Sequence, residues 1–154
     1  MTPEQEATNA ETRKHIQEVA TVLSEFRMLL AERARQHDQS KLVSPEVEVF
    51  TEYTSRLRAT TYGSEEYREC LKGMGTALGH HYANNRHHPE HHEAGIEGMN
   101  LVDIVEMFSD WLAATKRHDD GDIRRSIELN QKRFNMSPQL RRIFENTADL
   151  FDED

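Results

Sequence analysis

Apolar residues return at three- and four-residue intervals along almost the whole chain, and this spacing constrains the fold more than any other feature. Ile16, Val19, Leu23, Phe26 and Leu30 share one helical face, as do Leu101, Ile104, Val105, Phe108 and Leu112. Ile123, Ile127 and Phe134 mark another face, and no stretch alternates with the period of a strand. Helix-start signals punctuate the pattern. Thr2-Pro3 with Gln5 reads as a capping box, and Ser44-Pro45 and Ser137-Pro138 place proline in the first turn. Ser64, Asn100 and Asp120 or Gly121 stand before further runs. The expectation is an all-α bundle of about six helices, near 11–36, 45–59, 65–82, 101–118, 122–134 and 138–150. Residues 83–99 form the one long irregular segment, which in a compact domain marks function or disorder.

A chain of 154 residues is expected to form one domain over 1–154, with 1–10 and 151–154 as frayed ends. The net charge of −9 argues against duplex nucleic acid as a partner, because duplex binding depends on Lys and Arg neutralising phosphates. It leaves room for a small phosphorylated ligand in a local basic pocket. The single Cys70 excludes an intrachain disulfide and suits a reducing cytoplasm, of a bacterium or of a phage-infected cell. No apolar run is long enough for a membrane span, and none suggests a secretory leader. A homo-oligomer is compatible with all of this.

Six of the nine histidines fall in LGHHYANNRHHPEHHEAG, as the pairs His80/His81, His87/His88 and His91/His92. They cannot all ligate one site; His91 and His92 are expected to face water or to support ligands. Upstream, His37-Asp38 sets an imidazole beside a carboxylate, a mixed donor pair suited to a divalent cation. Asp110 sits among Met107, Phe108, Trp111 and Leu112, so its helix is expected to be buried there, and a buried carboxylate needs a partner or a cation. Asp103, three residues after Asn100, reads first as a capping residue, and Trp111 as a core residue. Arg86 and Lys72 are candidate phosphate clamps, and His118 reads as a dipole partner at a helix end.

The order His15, His37-Asp38, histidines at 80–92 and Asp110 resembles the HD-domain superfamily, an all-α metal-dependent fold. HDQSK is similar to its pattern of a Lys three residues after the Asp, and SDWLAA to the surroundings of its last ligand. HHYANNRHHPEHH, GMNLVDIVEMFSDW and RHDDGDIRRSIELNQKRF look more closely like a family of small phage and bacterial HD-like proteins of unassigned function. The resemblance implies His15, His37, Asp38 and Asp110 as metal ligands. It implies His81 and His88 as ligands of a second ion, with His80 and His87 as their alternatives, and Lys41 as a phosphate contact. The implied cofactor is one or two divalent ions: Mn, Fe, Co, Ni, Zn or Mg. The implied activity is hydrolysis of a nucleotide or another small phosphate ester by metal-activated water, with Lys41, Arg86, His81 and His88 acting on substrate. The resemblance also admits a di-iron oxygenase and a non-catalytic module that binds nucleotide or protein. His15 carries a condition. It lies 22 residues before His37, roughly 33 Å along a straight helix, so the chain must turn between them, with Ser24 as the expected cap.

Overall fold

The computed structural model describes residues 1–61, 63–117 and 121–151. These residues hold six α-helices and no strand: α1 (Pro3–Gln36), α2 (Glu46–Arg58), α3 (Glu65–Asn84), α4 (Leu101–Thr115), α5 (Ile123–Phe134) and α6 (Pro138–Ala148). The all-α expectation holds. The chain divides into two units, the first being Met1–Gln36 and the second beginning at His37.

The first unit is α1. Thr2 and Gln5 close the capping box reciprocally, at 2.8 Å and 3.3 Å, so the helix begins at Pro3 and takes in residues 3–10. No turn occurs at Ser24; the helix runs unbroken for 34 residues, about 50 Å. None of its residues is buried, and Ile16, Val19, Leu23 and Phe26 are exposed.

In the second unit the short polar side chains start the helices as their chemistry predicts. Ser64 accepts from the Tyr67 amide, Ser137 from the Leu140 amide, and Asn100 and Asp103 form a full capping box. Two starts differ from expectation. Asp122 caps α5, accepting from the Arg124 and Arg125 amides; Asp120 lies outside the described residues. No side chain caps α2, whose first residue, Glu46, is fully buried. Met107 and Phe108 of α4, Ile127 of α5, and Phe144 and Ala148 of α6 form a core with Met136. Phe108 stacks on Phe144 at 4.9 Å, and Trp111 meets the same ring edge-on at 5.5 Å. On the other side of the unit α2 packs against α3, whose Cys70, Met74 and Ala77 are buried. Residues 85–100 link α3 to α4 through two short 3₁₀ turns, Pro89–His91 and Gly95–Gly98.

Helix α3 bends at Gly75, where φ is +45° and ψ −116°. Only a residue without Cβ adopts that conformation cheaply. A Cβ placed there would meet no atom within 4 Å, so any penalty of a substitution is conformational. Gly75→Ala is therefore expected to cost about 1–3 kcal/mol, read as a lower urea midpoint with an unchanged slope.

Candidate metal centre

The site grows from the corner after α1. His37 and Asp38 follow its last residue, and Asp38 takes a left-handed backbone conformation (φ 57°, ψ 14°). Such a conformation at a non-glycine residue stores strain that the surroundings must hold in place. A 3₁₀ turn, Gln39–Leu42, follows and returns Lys41 to its own corner, with the Lys41 amide on the Asp38 carbonyl at 2.9 Å. The last turn of α3 supplies His81, and the linker supplies His87 and His88. On α4, Glu106 and Asp110 lie four residues apart and so share a face.

These elements bring six side chains together. Asp38, His81, His87 and His88 each offer an atom within 4.8 Å of all the others, and so do His37, His87 and Asp110. His81 Nε2 lies 2.9 Å from His88 Nε2 and 3.4 Å from Asp38 Oδ1. His37 Nε2 lies 3.6 Å from both Asp38 Oδ2 and Asp110 Oδ1. His87 belongs to both groups, 3.7 Å from Asp38 Oδ1 through its Nε2. The rings pack face against face or edge, with centroids 4.3 Å apart for His37–His87, 4.1 Å for His87–His88 and 4.7 Å for His81–His88. Asp38 Oδ1 and both ring nitrogens of His87 are buried without a hydrogen bond. A buried polar atom left unpaired is costly, and donors of mixed nitrogen and oxygen type would satisfy a divalent cation. The residues present therefore fit such an ion.

Two carboxylates stand behind the histidines. Glu46, fully buried, accepts from His80 Nδ1 at 2.7 Å, His81 Nδ1 at 2.9 Å and the Ser40 hydroxyl at 3.0 Å. Asn85 extends this chain by donating to Ser40 Oγ at 2.8 Å. Glu106 pairs with His37 Nδ1 at 3.0 Å and lies 3.2 Å from His87 Nδ1. A proton fixed on Nδ1 leaves Nε2 with a lone pair, and the carboxylate raises its basicity as a ligand. Sequence reading passed over Glu46 and Glu106. Glu106 carried a faint signal, one helical turn before Asp110; Glu46 carried none, since nothing local ties α2 to the end of α3.

Burial and neighbouring charge divide the imidazoles. His88 is pushed down to about 2 by burial and by His87 and His81 beside it, so it stays neutral. Burial and Lys41 lower His81 as well. His37 is raised to about 10 by its hydrogen bonds to Asp110 and Glu106, against the opposing effect of burial. Burial raises Asp110, but the His37 hydrogen bond and nearby positive charge outweigh it and hold the carboxyl at about 2.

The structure also redistributes the expected residues. His37, Asp38, Asp110, His81 and His88 come together. His15 does not join them. It lies 21 residues before Gln36 on one unbroken helix, about 30 Å along the axis, which no side chain spans. His87 joins, whereas its counterpart His80 turns to Glu46 with a side chain 41% exposed. Arg86 is engaged away from the cluster. Its guanidinium grips buried Asp103 at 3.2 and 3.0 Å, and this pairing raises its pKa further. Lys41 donates to Asp38 Oδ2 at 2.6 Å and lies 5.0 Å from the Phe50 ring. His91 bonds the Tyr82 carbonyl and His92 the Arg86 carbonyl, so both tie down the linker rather than the cluster. His118 lies outside the described residues.

Beside the cluster opens a cavity of about 570 Å³. Lys41, His81, His87, His88 and Asp110 form part of its wall, together with apolar residues of α2, α3, α4 and α5.

A family of unknown function (DUF5662) matches residues 4–150. The chain belongs to this family. No curated protein and no solved structure matches it. The matched span of the DUF5662 chain includes every ligand-type residue of the cluster.

Three outcomes follow from the geometry. Glu106→Gln is expected to weaken Mn²⁺ binding about 10–100-fold, measured by titration calorimetry, because His37 loses its oriented acceptor. Ligation requires neutral His37 Nε2, which below about pH 10 carries a proton. Binding of Mn²⁺ at pH 8 should then release about one proton in weakly buffered solution, and His37→Ala should abolish that release. Arg86→Ala should lower unfolding free energy by about 1.5–3 kcal/mol by removing the guanidinium from buried Asp103, with Mn²⁺ affinity unchanged.

Proposed function

We propose that this chain is a metal-dependent phosphohydrolase acting on a nucleotide or another small phosphate ester. One observation carries the reading: the cluster of His37, Asp38, His81, His87, His88 and Asp110 adjoins a cavity whose wall is formed in part by its own His81, His87, His88 and Asp110 and by Lys41, Arg125 and Arg133. Donors for a cation and fixed positive charge on one cavity are the two requirements for holding a phosphoryl group beside an activated water. A divalent ion bound there would polarise the phosphoryl oxygen and lower the pKa of a water molecule.

The remaining work falls to side chains of this chain. Asp38, Asp110 and one ring nitrogen from each of the four histidines would hold the ion or ions, and the shared position of His87 allows two neighbouring sites. Glu46 keeps His81 oriented through Nδ1, and Glu106 does the same for His37. Lys41, placed between Asp38 and the cavity, would leave its carboxylate partner once the cation neutralises it and bear on the phosphoryl oxygens. The single, buried Cys70 suits a reducing cytoplasm as the compartment. Among the described residues, no helix is long and apolar enough to cross a membrane.

Purified protein assayed with Mn²⁺, Fe²⁺, Co²⁺, Ni²⁺, Zn²⁺ and Mg²⁺ on a panel of phosphate esters is expected to release phosphate only with metal. Asp38→Ala should lose about a hundredfold or more in rate. Phosphate release that persists in Asp38→Ala, or that needs no metal, would overturn the reading. The paired ligand groups sharing His87 favour one competing reading, a di-iron oxygenase. Substrate-dependent uptake of O₂ by the iron-loaded protein, without phosphate release, would establish it instead.

A further inference from the structure

The cavity follows the helices away from the ligand cluster. Its lining residues on α3 are Tyr67, Leu71, Met74, Leu78, His81 and Tyr82, from both sides of the bend at Gly75. On α2 they include Phe50, Thr51, Thr54 and Leu57, again one face. Leu71 precedes His81 by ten residues across the bend at Gly75, so the cavity follows α3 from beyond the bend to the ligand cluster.

Its chemistry changes along that length. At the cluster it is charged; along α3 it is Leu71, Met74 and Leu78, joined by Phe50, Trp111 and Leu129, while Arg117, Asp122, Arg125, Asn130 and Arg133 add polar groups elsewhere on its wall. The two threonine hydroxyls that α2 brings to this wall are engaged. Thr51 Oγ1 donates to the Val47 carbonyl at 2.6 Å, and Thr54 Oγ1 to the Phe50 carbonyl at 2.5 Å. Selective recognition of a base or sugar needs polar groups placed to pair with it, since an apolar wall neither rewards nor rejects a hydroxyl strongly. An apolar wall rewards apolar area. A volume of about 570 Å³ is ample for a small-molecule body, within the usual range for ligand sites.

We propose that the substrate is an amphipathic phosphate ester, its phosphate held at the Asp38–His81–His88 cluster and its extended apolar body, an alkyl or aryl group, lying between α2 and α3. The phosphate end rests on the phosphohydrolase reading; the apolar end rests on the cavity alone. Hydrolysis would break the ester P–O bond with water, releasing inorganic phosphate and an apolar alcohol.

Binding and turnover separate the two parts. With Mn²⁺-loaded protein, octylphosphonate, which cannot be hydrolysed at an ester bond, is expected to bind at least about tenfold more tightly than methylphosphonate in calorimetry, as burial of several methylenes requires. Leu71→Trp and, independently, Leu129→Trp fill the cavity at positions that hold no ligand atom. Each should abolish that preference while leaving methylphosphonate and Mn²⁺ binding unchanged. Equal affinity for the two phosphonates, or no binding of either, would overturn the proposal. In turnover, octyl phosphate should exceed adenosine monophosphate and glycerol phosphate in kcat/KM. Faster hydrolysis of adenosine monophosphate would overturn the apolar assignment and leave the hydrolase reading standing. The octyl preference in binding without hydrolysis of any ester would uphold the cavity assignment and overturn the hydrolase reading.

Discussion

Two carboxylates in the interior, Glu46 and Glu106, set the orientation of the imidazoles around them. Glu46 takes the Nδ1 protons of His80 and His81, and Glu106 that of His37 while lying against His87. Burying a carboxylate without partners would be prohibitive, so each needs its histidines as much as they need it. The consequence is directional. With Nδ1 committed, Nε2 of His81 and His37 faces Asp38, and the strained backbone of Asp38 is held at the point where the two groups meet. The same buried charges knit α2 to the end of α3, and α4 to the corner at His37.

The cluster is poised rather than satisfied. His37 carries a proton that Asp110 and Glu106 stabilise, Lys41 sits on Asp38, and His88 is kept neutral by its surroundings. A cation entering here would replace the positive charges of His37 and Lys41 with its own. The fold thus tolerates a dense set of donors by filling them with protons and an ammonium. Beyond the donors the wall along α3 is apolar at Leu71, Met74 and Leu78.

Much of the helical frame was legible locally. The capping boxes at Thr2–Gln5 and Asn100–Asp103 and the caps at Ser64 and Ser137 are contacts within three residues, which a linear reading can see. His37-Asp38 and Asp110 were legible through residue type and order. Glu46 was not, because its partners His80 and His81 lie 34 and 35 residues away. Arg86 misled for the same reason: a lone arginine among histidines suggests phosphate, and only the fold shows buried Asp103 beneath it. His15 misled in the opposite direction. A turn at Ser24 was required by the resemblance, but the helix spacing from Ile16 to Leu30 already favoured one continuous rod, and local helical preference prevailed.

The sequence by itself determined the all-helical architecture, most of the helix starts and the donor types available to the site, because periodicity, caps and residue chemistry are local properties. Tertiary structure decided which donors meet. It chose His87 over His80, gave Arg86 to Asp103, placed Glu46 and Glu106 behind the imidazoles and left His15 far along its own helix. Those choices depend on distances between segments remote in sequence, and burial of charge fixes them: each buried carboxylate is placed where a partner can reach it.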